Sequence, residues 1–153
     1  VSITESIQAD SVKVYVGDAS GEKVAEDDVL NGTIDVYESI VNGGKTYGGQ
    51  SVTIKAYSYA NGSDAALDDT LKFEVDNYDS YNSDSIKVTD NGDNTITIQG
   101  VRSEKDTKTG KPRDIKITVT NEFSGAGTSF MVHVLVPAVG IQLSETGTKN
   151  IIE

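Results

Sequence analysis

Residues 115–136 read IKITVTNEFSGAGTSFMVHVLV. Ile115, Ile117 and Val119 alternate with Lys116, Thr118 and Thr120. After the turn-rich stretch at 122–127, Phe130, Val132 and Val134 take up the same rhythm. A period of two puts one set of side chains on one face of a pleated strand, so each run buries one face and wets the other. Met131 and Leu135 make the second run apolar on both faces, which suits a central strand or one covered by a neighbouring module. The chain then reaches Pro137 and restarts with the alternation Val139, Ile141, Leu143. That order reads as the end of one β-module, a short joint and the start of another.

Working outward, the same alternation recurs along the chain. Val12, Val14 and Val16 alternate with Lys13 and Tyr15. Val52, Ile54 and Ala56 alternate with Thr53, Lys55 and Tyr57. Leu71, Phe73 and Val75 form a third set, and Ile96 and Ile98 a fourth. Residues 34–40 and 86–88 read as shorter strands. Asn31-Gly32, Asn42-Gly43-Gly44, Gly48-Gly49, Asn61-Gly62 and Asn91-Gly92 punctuate them with residues that reach positive φ cheaply. Asn91-Gly92 has the spacing of a hairpin turn. Only residues 22–30 invite a helical reading, and they lack a sustained 3.6-residue stripe. The expectation is an all-β antiparallel sandwich. Its predicted core is Val12, Val14, Val52, Ile54, Leu71, Phe73, Ile96, Ile98, Ile117, Val119, Val132 and Val134, with Phe73 at a central position.

With 153 residues, the chain is long enough for one good core, or one core and part of a second. It has no cysteine, which removes disulfides and thiolate chemistry. No run approaches the roughly 20 apolar residues of a membrane span. The first residue is Val, with no basic-then-apolar leader before it, so a processed product or an excised piece is expected. Net charge is -11, which disfavours nucleic acid and anionic membrane as partners. The charge is also unevenly spread. Residues 60–94 hold nine acidic residues against Lys72 and Lys87, whereas residues 101–120 hold six basic residues against three acidic ones. The two stretches read either as solvated loops or as opposite poles of one module, with Lys105, Lys108 and Lys111 as candidate assembly residues.

The succession of GQSVT at 49–53, LKFEVDN at 71–77, IKVTDNG at 86–92, ITIQGV at 96–101 and IKITVT at 115–120, followed by VGIQLS at 139–144, resembles the bacterial immunoglobulin-like group 2 repeat. The likeness spans roughly residues 33–145. It departs from the family in having no Trp, with Phe73 in the middle strand, and in a longer segment at 102–113. The resemblance implies an immunoglobulin-like sandwich at residues 33–136. Residues 137–153 are then a linker and the first strand of a following module. Residues 1–32 are an N-terminal strand extension or the tail of a preceding module. It also implies a non-enzymatic structural or spacer module of a bacterial cell-surface, surface-layer or adhesin-type protein, located outside the cell. The alternatives are an adhesion module that binds carbohydrate or a surface protein, and a self-assembling fibre or virion subunit. In the last, residues 1–16 or 141–152 would pair with a neighbouring copy.

Candidate chemistry is sparse. His133 is the sole histidine and lies inside a strand without a nucleophile motif, which reads as structural. Asp76, Asp79 and Asp84 bring oxygen donors near strand ends, as a calcium ion would require, although their spacing is not that of a Ca-binding loop. The alternative is a plain acidic loop. Tyr57 and Tyr59 share one strand face and form a candidate ligand platform, or an ordinary outer-face pair.

Overall fold

The computed structural model describes residues 7–17, 32–63, 65–78 and 82–138. Their strands are β1 (Ser11–Gly17), β2 (Thr33–Tyr37), β3 (Ile40–Asn42), β4 (Lys45–Tyr47), β5 (Ser51–Tyr59), β6 (Ala66–Leu67), β7 (Leu71–Val75), β8 (Ile86–Asp90), β9 (Thr95–Gly100), β10 (Ile115–Asn121) and β11 (Gly127–Leu135). The strand runs expected from alternation form, and none of the described residues is α-helical. Residues 22–30 lie outside the described set.

One sheet has the order β1-β5-β9-β8, with β6 pairing the end of β5; the other has the order β2-β11-β10-β7. With β1, β5, β7, β8, β9, β10 and β11 taken as strands A to G, these are the A-B-E-D and C-F-G sheets of a constant-type immunoglobulin sandwich. β2 is added outside the last strand. Its pairing with β11 is parallel, from Thr33 opposite Met131 to Tyr37 opposite Leu135, whereas every other ladder is antiparallel. β11 is thus an inner strand, as its two apolar faces suggest.

Each sheet offers one apolar face, and the two faces close on one core. Val12 and Val14 from β1, Ile54 and Ala56 from β5, and Ile96 and Ile98 from β9 meet Ile34, Val36, Ile115, Ile117, Val119, Phe130, Val132 and Val134. Two expectations need correction here. The sandwich does not begin at residue 33. Ala9, Val12 and Val14 are buried and β1 pairs with β5 along its whole length, so the module starts at least as early as Ala9. Phe73 is not central either. It sits on β7, an edge strand, and is only half-buried, while Phe130 on the inner strand β11 is the largest fully buried side chain. Alternation tells which face a residue takes, but not how far its strand lies from the sheet edge.

The direction of the strands defines two ends. Ser11 at the start of β1 lies opposite Tyr59 at the end of β5, so the chain enters at the end where β5 finishes. Val132 lies opposite Ile115 at the start of β10, so β11 leaves at the other end. At this exit end, Gly100 runs so close to the backbone of Tyr37 that an added Cβ would lie 2.4 Å from the Tyr37 carbonyl oxygen. On the open flank between the two sheets, the Tyr78 hydroxyl accepts a hydrogen bond from the Val88 N–H of edge strand β8 at 3.3 Å, blunting a free donor there.

Truncating Phe130 to Ala should cost about 3–5 kcal/mol in urea unfolding, and Phe73 to Ala only about 1–2 kcal/mol. Equal losses would place β7 in the core after all.

Candidate functional site

The outer face of the first sheet carries the tyrosines. Tyr57 and Tyr59 lie on the same face of β5, with ring centroids 6.5 Å apart and planes tilted by 33°. Register adds what the linear sequence does not display. Lys13 of β1 lies opposite Tyr57, and Tyr15 lies opposite Lys55. Tyr15 meets Tyr57 edge-on at 5.7 Å, while Lys55 stands over the Tyr57 ring and Lys13 over the Tyr59 ring, each at 5.8 Å. Tyr15 is buried and the other two rings are half-buried. The pair is therefore a packed ladder of rings and ammonium groups rather than an open platform. A hollow of about 380 Å³ beside Tyr15 and Tyr59 and another of about 420 Å³ beside Tyr57 flank it.

The acidic candidates divide between the ends. Asp76 and Asp84 are exposed at the exit end, flanking a tight connection in which the buried Asn82 amide donates to the Asp76 carbonyl. Asp79 lies outside the described residues. No group of three or more His, Cys, Asp or Glu side chains poised to hold a metal ion occurs among the described residues.

Asp68, Asp69, Asp90 and Asp93 gather instead at the entry end, where Asp69, Asp90 and Asp93 brace the chain. Asp69 accepts from the amide of Asn121 at 2.8 Å. That amide, fully buried at the end of β10, also reaches Ser58 of the opposite sheet, and its oxygen accepts from the Phe123 and Ser124 N–H groups. Asn94, held at φ 63°, accepts from the Leu71 N–H and donates to the Asp69 carbonyl. Two asparagines thus grip the crossover between sheets. Asp90 accepts from the Gly92 N–H, so Asp90-Asn91-Gly92-Asp93 is the hairpin turn expected. The Thr95 hydroxyl donates to Asp93, and that bond, helped by the Lys55 charge, holds the Asp93 carboxyl below the ordinary aspartate range.

The segment from 101 to 114 is an ordered arm. Lys105 bridges Pro112, Asp106 caps its turn by accepting from the Lys108 and Thr109 N–H groups, and Arg113 donates to the Ser85 hydroxyl. Lys105, Lys108 and Lys111 are exposed on it. The arm begins at the exit end, opposite Asp68 and Asp93 but beside Asp76 and Asp84, because the β7–β8 connection returns to the same end. The two charge poles are therefore real only in part. His133 on β11 hydrogen-bonds Asp114 at the end of the arm and stands 3.9 Å from Asp35 of β2, tying β11, β2 and the arm together. Sequence reading took this residue as structural but had no signal for its partners, which come from two separate segments.

Exposed apolar side chains complete the picture. The large ones among the described residues are Ile7, Tyr37, Val41, Val101, Phe123 and Val136. Tyr37, Val101 and Val136 lie at the exit end, and Val41 lies on the β3–β4 hairpin that follows Tyr37 there. Ile7 precedes β1 and Phe123 caps the β10–β11 hairpin, both at the entry end. Of the six, Tyr37 closes β2 and Val41 belongs to β3, and the other four lie outside the strands.

No family model, curated protein or solved structure matches the chain. No helix among the described residues is long and apolar enough to cross a membrane.

Replacing Asn121 by Ala leaves Asp69 and two backbone N–H groups without their buried partner, and should cost about 2–3 kcal/mol in chemical unfolding. A loss under about 0.5 kcal/mol would show that water replaces the amide freely. The depressed Asp93 carboxyl favours the fold above about pH 4, and that contribution disappears as pH falls through its folded-state value. By NMR titration, Thr95→Val should move the Asp93 midpoint upward; an unmoved midpoint would deny the hydroxyl its role.

Proposed function

We propose that this chain is a non-enzymatic structural spacer, a module set in series within a bacterial cell-surface, surface-layer or adhesin-type protein. One observation supports this above the rest: the chain enters at one end of the sandwich and leaves at the other. The nine-residue strands β5 and β11 make that separation about 30 Å, at about 3.3 Å per residue. A module with both connections at one end hangs from its polypeptide as a side domain, whereas one with connections at opposite ends adds its length to it. The strand order and the likeness of residues 33–145 to bacterial immunoglobulin-like repeats support the same reading and suggest the extracellular location.

An adhesion module using Tyr57 and Tyr59 toward carbohydrate or protein is the alternative, favoured by the hollows on either side of the ladder. The lysines seated over both rings weigh against stacking on a sugar face. Either reading is compatible with a calcium ion on Asp76, Asp79 and Asp84.

Two copies fused directly in series should show, by small-angle X-ray scattering, a maximum dimension greater than one copy's by about 30 Å or more. A fusion no longer than a single copy, folded side by side, would overturn the spacer reading. Antibody labelling of intact against permeabilised source cells tests the location, and signal only after permeabilisation would remove it.

A further inference from the structure

We infer that the two ends of the sandwich are complementary contact surfaces, and that the exit end of one copy docks on the entry end of a second copy of this chain. The inference deepens the spacer reading and takes the direction of stacking from it. Three features converge on it.

The first is where exposed apolar surface lies. Val41 at 70%, Val136 at 58%, Val101 at 44% and Tyr37 at 42% relative exposure belong to the exit side, and Ile7 at 69% and Phe123 at 60% to the entry side. A soluble sandwich usually scatters such residues singly, and their collection at the ends marks surfaces that water is meant to leave. The second is charge. Lys105, Lys108 and Lys111 project from the exit-side arm, and no ion pair engages any of them among the described residues. Exposed Asp10, Asp68, Asp90, Asp93 and Glu122 surround the entry side, where Lys72 approaches Glu122 at 3.8 Å. Protein interfaces combine exposed apolar and charged side chains, and the opposite signs of the lysines and the carboxylates favour the head-to-tail orientation over head-to-head. The third is rigidity. The exit surface is prebuilt, since Gly49 donates to the Tyr37 carbonyl, Ser103 to the Glu38 carboxylate and Gln99 to the Gly49 carbonyl. Little ordering is needed on contact.

Because the two surfaces differ, the contact is heterologous. It propagates into an open row instead of closing at two copies. Asp76 and Asp84 on the exit side temper the lysine charge, so the exposed apolar side chains supply the attraction and the lysines orient it.

Sedimentation analysis tests this directly. The wild-type chain at millimolar concentration should form an open series of oligomers whose size grows with concentration. Val41→Asp/Val101→Asp should be monomeric, and so should Phe123→Asp. All these residues are exposed, and unchanged melting curves will show that both variants fold. Mixed one to one, they should give a discrete dimer, since each retains the surface the other lacks. Lys105→Glu/Lys108→Glu/Lys111→Glu should weaken association by about tenfold at about 10 mM salt, where charges reach about 30 Å, and the difference should vanish near 1 M, where they reach about 3 Å. A strictly monomeric wild type, a mixture that stays monomeric, or a closed dimer indifferent to these changes would overturn the inference. None of those results touches the series fusion, whose scattering tests the spacer reading by itself.

Discussion

Each sheet of this molecule has a single apolar face, and neither can exist in water without the other. That constraint governs the rest. Once Val12, Val14, Ile54, Ile96 and Ile98 close against Ile115, Ile117, Val119, Phe130 and Val132, the chain can pass between layers only at the two ends. Every crossover carries backbone groups that no ladder satisfies, so the ends must supply polar partners. At the entry end these are Asn94 and Asn121; at the exit end they are the Ser85 carbonyl, which accepts from the Val101 and Arg102 N–H groups, and the Glu38 carboxylate. The core holds the sheets together, and the ends hold the connections.

The same division bears on the proposed spacer role. The hydrophobic core cluster is aliphatic apart from Phe130, and the outer face of the first sheet is filled by its own lysines and tyrosines. The large exposed apolar side chains among the described residues lie instead toward the ends where the chain enters and leaves. The proposed spacer role would need little more: stiffness along its length, and ends that meet other modules in a defined way.

Much of the architecture was legible in the sequence, for a physical reason. Period-two alternation reports which face a residue takes, and β1, β5, β7, β9, β10 and β11 declared themselves that way. It does not report which strand lies beside which. The parallel pairing of β2 with β11 was invisible for that reason, as were the β3–β4 hairpin, the row of Asp35, His133 and Asp114, and the lysines over the tyrosine rings. Phe73 was misplaced because edge and inner strands alternate alike. The charge poles were misjudged in part because residues 60–94 are contiguous in sequence but run from the entry end to the exit end and back. Asn121 gave no signal at all, since a buried amide and a turn amide look the same in a string of letters.

The parallel edge strand has a mechanical consequence. β2 and β11 both run from the entry end toward the exit end, where β11 ends at Leu135. A pull between the two connections draws β11 along its own axis, past β2 on one side and β10 on the other. The ladder bonds lie across that direction, so they are loaded together in shear instead of opening one after another like a zip. A module wired this way yields to tension only when whole rows of bonds fail at once.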